Sequence, residues 1–193
     1  MTTTAPQNNL RSFHGLDIPE PGTFAIDTSH SSVAFTVRHL MVAKTKGRFA
    51  DFAGQIILDE DPLQSSVDVT IQAASIATAD DQRDGHLRSA DFLDVETYPT
   101  LHFVSTAVRH KGGSSFEVAG DLTVRGVTKP VTLALDYEGT VTDPWGGQRA
   151  VFSASTKINR EEFGLTWNQA LETGGVLVGK DVSIDLEVEA VRQ

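Results

Sequence analysis

A period of two is the feature that most constrains this chain. Val33, Phe35, Val37 and His39 alternate with Ala34, Thr36 and Arg38, and Val67, Val69, Ile71 and Ala73 alternate with Ser66, Asp68, Thr70 and Gln72. The same rhythm runs through 116–124, 131–137, 150–158 and 182–190. Successive side chains of a strand point to opposite faces, so alternation in this many segments predicts half-buried antiparallel strands. Loop chemistry separates the runs at Asp59-Glu60-Asp61-Pro62, Lys111-Gly112-Gly113, Arg125-Gly126 and Asp143-Pro144-Trp145-Gly146-Gly147. Phe49 and Phe52 are out of phase, which predicts a bulge near 50–53.

The predicted architecture is all-β: an antiparallel barrel of about eight strands with one or two short helices. Closing the sheet removes its edges, and eight strands leave an interior that is either packed or holds one ligand. Periodicity leaves filled and hollow both open. Thr78-Ala79-Asp80-Asp81 reads as a helix start, with helix to about Ser89, and a second short helix is expected near 160–163. Residues 1–22, polar and carrying Pro6, Pro19 and Pro21, read as a flexible N-terminal arm, and 23–193 as the barrel domain.

Charge and composition remove several functions. Sixteen Lys and Arg against 26 Asp and Glu leave a net charge of −10 over 193 residues. Such a surface is unsuited to the phosphate contacts of a nucleic-acid binder, and it disfavours anionic lipid headgroups. No apolar run approaches ~18 residues, so no stable membrane insertion is expected. Without cysteine there is no disulfide, thiol nucleophile or Cys-ligated zinc. The start of the chain lacks a basic segment followed by an apolar one, so the expected location is cytoplasmic.

Local catalytic motifs are missing. There is no dinucleotide fingerprint, P-loop, His-Glu-x-x-His or Gly-x-Ser-x-Gly. The six histidines lie at least eight residues apart, so no local metal motif exists, and no cofactor is expected. His30 follows Asp27 by three and reads as a turn bond. His39 ends an inward row and His86 lies in the polar helix. They are the candidate acid/base groups of an alternative reading, an enzyme acting on a lipophilic or quinone-like substrate. A solid barrel whose acidic face meets a basic protein is the third reading. The Arg and Asp residues of 83–91, and Arg160 with Glu161 and Glu162, read as ion pairs and caps closing a barrel end.

Five blocks carry a family resemblance. They are Ala25-Ile26-Asp27-Thr28-Ser29-His30-Ser31-Ser32-Val33-Ala34-Phe35 with Gly47-Arg48-Phe49; Arg83-Asp84-Gly85-His86-Leu87-Arg88-Ser89-Ala90-Asp91-Phe92; Tyr98-Pro99; Gly120-Asp121-Leu122-Thr123-Val124-Arg125-Gly126; and Ile158-Asn159-Arg160-Glu161-Glu162-Phe163-Gly164-Leu165-Thr166-Trp167-Asn168. In this order, over residues 23 to 190, the chain resembles the YceI-like family. The resemblance implies a lipocalin-like barrel with a long apolar tunnel for a polyisoprenoid or other long-chain lipid, an isoprenoid quinone included, carried or stored, and a homodimer. In a hollow barrel the ligand-facing residues are expected to be Phe35, Val37, His39, Phe49, Phe52, Ile56, Val69, Ile71, Phe92, Phe103, Leu122, Leu133, Phe152, Phe163 and Trp167. A tail buried there gains ~0.8 kcal/mol per methylene before ordering costs.

Overall fold

The structure is a computed structural model describing residues 10–172 and 174–193. Thirteen strands are named in chain order. They are β1 (Leu10–Phe13), β2 (Leu16–Pro19), β3 (Gly22–Ile26), β4 (Ser32–His39), β5 (Ala43–Phe49), β6 (Phe52–Leu58), β7 (Ser66–Gln72), β8 (Ile76–Ala77), β9 (Thr100–Gly112), β10 (Ser115–Val124), β11 (Val127–Thr142), β12 (Gln148–Asn159) and β13 (Val178–Arg192). Eight of them close an antiparallel barrel in the order β13, β12, β11, β10, β9, β7, β6, β3 and back to β13. The strand β13 is the seam. One edge pairs with β12 along its length, and the other pairs with β3 near Ala190 and with β4 near Ile184. Thus β3 and β4 are one barrel strand broken by the turn at 27–31, and β6 and β5 lie alongside them.

The bulge expected near 50–53 is instead a break between strands: β5 gives way to β6 there, and the Ala50 N–H donates to Ser75 O. Both phenylalanines therefore reach the interior. At Gly120 the β9–β10 register shifts, and the ring of Phe103 and the carbonyl of Val104 fill the space a Cβ would need.

The helix α1 (Asp81–Arg88) is capped by Asp80, whose carboxylate accepts from the Arg83 N–H. Thr78, placed by the motif at the helix start, does something else: its N–H donates to the buried Asp84 carboxylate at 2.9 Å. A left-handed Ala79 separates the two roles. The second short helix is a 3₁₀ turn, Arg160–Phe163.

The expected arm is corrected from residue 10 onward; residues 1–9 lie outside the described residues. Strands β1 and β2 form a hairpin packed across one barrel end, with Ile18 and Pro19 buried. Phe13 stacks on Phe116, and the Tyr137 hydroxyl donates to Asp17 O at 3.0 Å. Arg11 donates to the carbonyls of Pro19, Asp59 and Glu60. Pro19, one of the prolines that suggested a linker, ends the edge strand β2, where a missing N–H costs no ladder bond.

Candidate functional site

The inward rows do not meet at the barrel axis. They enclose a bore of about 350 Å³ running from the β1–β2 hairpin to the helical end. This lies in the ~300–1,000 Å³ range of small-molecule sites. Its wall is almost wholly carbon, from Val67, Val69 and Ile71 on β7, Phe116, Val118 and Leu122 on β10, Val131, Leu133 and Leu135 on β11, and Ile184, Leu186 and Val188 on β13. Polar groups gather towards the ends. Arg11, Ser65 and Ser66 lie by the hairpin, and Arg160 by the helical cap.

Of the fifteen residues expected to face a ligand, Phe35, Val37, Phe49, Phe52, Ile56, Val69, Ile71, Phe92, Phe103, Leu122, Leu133, Phe152 and Phe163 line the bore. His39 and Trp167 do not. His39, the last residue of β4, pairs with Ala43 and with Val178 beside an irregularity in β13, and it is not part of the bore wall. Trp167 lies over the cap, its ring 5.3 Å from Phe92. His86 is outside too, edge-on to Trp167 at 4.6 Å and hydrogen-bonded to Asp91 at 2.9 Å. The two histidines of the acid/base reading therefore have no place in the bore wall.

The expected ion pairs and caps are present only in part: Asp80 caps α1 and lies 3.9 Å from the Arg83 guanidinium, while most arginine bonds at this end go to backbone and hydroxyl oxygens. Arg83 donates to the hydroxyl and carbonyl of Thr78, and Arg88 to the carbonyls of Ala74 and Ile76. Arg160 turns away from Glu161 and Glu162. It is 5% exposed and donates to the carbonyls of Gly179, Leu165, Trp167 and Val178. Burial pushes its pKa down from the usual arginine value. Carbonyl partners spread over a loop and a strand are invisible to a sequence motif, so this clamp was not legible.

At the opposite end Arg149 binds three carboxylates: Asp27 at 2.6 Å, Glu189 at 2.5 Å and Asp143 at 3.0 Å. Asp27, His30 and Glu189 together bring possible metal-ligand atoms within 4.8 Å. The guanidinium already donates to Asp27 and Glu189, so the arginine supplies the positive charge a cation would bring. His30 bonds Asp27 at 2.9 Å, as the turn reading expects. Hydrogen bonds from Ser29, Arg149 and His30 hold the Asp27 carboxyl well below its ordinary 3.8. A depressed carboxyl stabilises the fold above its unfolded pKa and loses that contribution as pH falls through its folded value. Thermal unfolding followed by circular dichroism should therefore show Tm dropping below about pH 4, and Asp27→Asn should flatten that acid limb while lowering Tm at pH 7.

A closed antiparallel barrel around an apolar bore defines a β-barrel of lipocalin-like build. The match to known proteins is more specific: the model of the YceI-like domain fits residues 24–190, and the chain belongs to that family. A UPF0312 protein of Pseudomonas putida strain GB-1 is 40% identical over 165 residues, 85% of this chain and 82% of the relative. Among solved structures, Burkholderia cenocepacia BcnA superposes with a TM-score of 0.75 at 25% identity, covering 85% of this chain and 98% of its own. A polyisoprenoid binding domain from Saccharophagus degradans, implicated in plant cell wall breakdown, shares the fold with a TM-score of 0.66 at 14% identity, covering 88% and 98%.

Proposed function

We propose that this protein binds a long-chain amphiphilic lipid, a polyisoprenoid or isoprenoid quinone, along the barrel axis, to carry or store it. The bore carries this reading: it is long, almost free of polar atoms in its middle, and bounded by polar residues towards its ends. Such a space holds an alkyl or isoprenoid chain by area burial, while the ends accommodate a head group. The thirteen wall residues named above are its proposed contacts. The fold shared with a polyisoprenoid binding domain supports the reading at the level of architecture.

The protein acts by binding, not by turnover, on this reading. Neither His39 nor His86 reaches the bore, and the titratable side chains in its wall are Arg11, Tyr137 and Arg160. Burial raises the Tyr137 pKa, so the phenol stays neutral at pH 7. We place the protein in the cytoplasm, with a homodimer as its working form; cell fractionation and light scattering test these two points.

Organic extraction of the purified protein, followed by mass spectrometry, tests the cargo. A stoichiometric isoprenoid or similar long-chain lipid is the expected result. Protein that contains none, and takes up none from added polyprenol or quinone, overturns the reading.

A further inference from the structure

The net charge of −10 conceals a basic strand. Between Ser31 and Ala50 the chain has Arg38, Lys44, Lys46 and Arg48 and no acid. Arg38 is paired directly with Lys44, Thr36 with Lys46 and Ala34 with Arg48. Paired residues share a face, so the four cations form one stripe down the outside of the β4–β5 hairpin. All four are exposed, and none pairs with a carboxylate among the described residues. Lys180, on the seam strand beside Arg38, is exposed too. The nearest acids on that strand are Asp181, held by Lys157, and Asp185 opposite Ala34.

The same hairpin ends in Leu40, Met41 and Val42, exposed to 44%, 53% and 81%. Leu40 and Met41 both have positive φ, 50° and 63°. Bulky residues are disfavoured in that conformation, and turns of this kind ordinarily take Asn or Gly. For a protein in water the hairpin is thus unfavourable in three ways: strained backbone, wetted apolar side chains, and like charges facing each other across the ladder. An anionic bilayer offsets the second and third together. Apolar tips enter the headgroup boundary while lysine and arginine above them meet the negative surface.

We propose that the β4–β5 hairpin docks this protein on anionic lipid bilayers, with Leu40, Met41 and Val42 inserted and Arg38, Lys44, Lys46 and Arg48 on the headgroups. The remaining acidic surface limits the encounter to this one orientation and keeps it reversible. The tip is joined to the bore wall, since Val37 and Val178 line the bore and His39 beside the turn pairs with Val178. Docking here brings that end of the barrel to the membrane.

Co-sedimentation of the full chain with vesicles of phosphatidylcholine alone, and with added phosphatidylglycerol, tests this at low and high salt. Binding is expected only to the anionic vesicles, and it should fall with salt. Each cation near the surface contributes about fivefold, so Lys44→Gln with Lys46→Gln should weaken binding ~25-fold. Met41→Ser with Val42→Ser should weaken it as well, with the circular dichroism spectrum unchanged. Three results overturn the proposal: no binding to anionic vesicles at low salt, equal binding by wild type and both variants, or tip variants that change only the oligomeric state in light scattering. Vesicle binding is read without cargo, so its failure leaves the bore reading intact, and an empty bore leaves the docking result intact.

Discussion

Val33→Trp combined with Val118→Trp should abolish lipid retention while leaving the barrel folded. The two valines line the bore from opposite walls, on β4 and β10. Two indoles there take the place of about four methylenes of an occupant, each worth ~0.8 kcal/mol on burial, a loss of about 200-fold in affinity. The bore has room for the added rings, so the overpacking cost of a filled core does not apply in full. Mass spectrometry of the solvent extract is the readout, with near- and far-ultraviolet circular dichroism as the control. Retention of cargo at the wild-type level would mean that the lipid sits elsewhere.

The second large effect concerns stability. Arg160→Met should lower the stability by about 3 kcal/mol, or ~6–12 °C in Tm, because one buried and three half-buried carbonyls lose their donors together. Those carbonyls belong to Leu165, Trp167, Val178 and Gly179, so the loop between the 3₁₀ turn and β13 should exchange its amide hydrogens sooner than the barrel wall. Arg160→Lys should recover only part of the loss, since an ammonium cannot span four acceptors as a planar guanidinium does. An unchanged Tm in Arg160→Met would show that water replaces the clamp at no cost.

Much of the site was legible before the structure, because barrel walls obey a period of two without exception for long stretches. The rows at 67–71, 131–137 and 182–188 point inward as their alternation requires. What the pattern could not supply was where each row leaves the barrel. His39 continues the row of Val33, Phe35 and Val37 in phase, yet it ends β4 opposite the irregularity in β13 and is not in the wall. Trp167 belongs to a loop, where periodicity has no meaning. The hairpin at 10–19 was hidden because its contacts, Phe116, Tyr137 and the carbonyls of Asp59 and Glu60, lie far along the chain. Whether the interior was hollow depended on side-chain reach across the axis, which neighbouring positions in sequence do not report. Net charge is an average: −10 argues against anionic lipid, yet four cations stand together on the β4–β5 hairpin.

The seam has a consequence for how the chain is made. Ile26 finds its partner in Ala190, and Phe35 in Ile184, so a nascent chain holds both unpaired edges and an open greasy gutter until β13 has been made. Over that interval the half-built gutter is prone to aggregate. On the proposed reading, a lipid can be enclosed only after β13 has closed the seam.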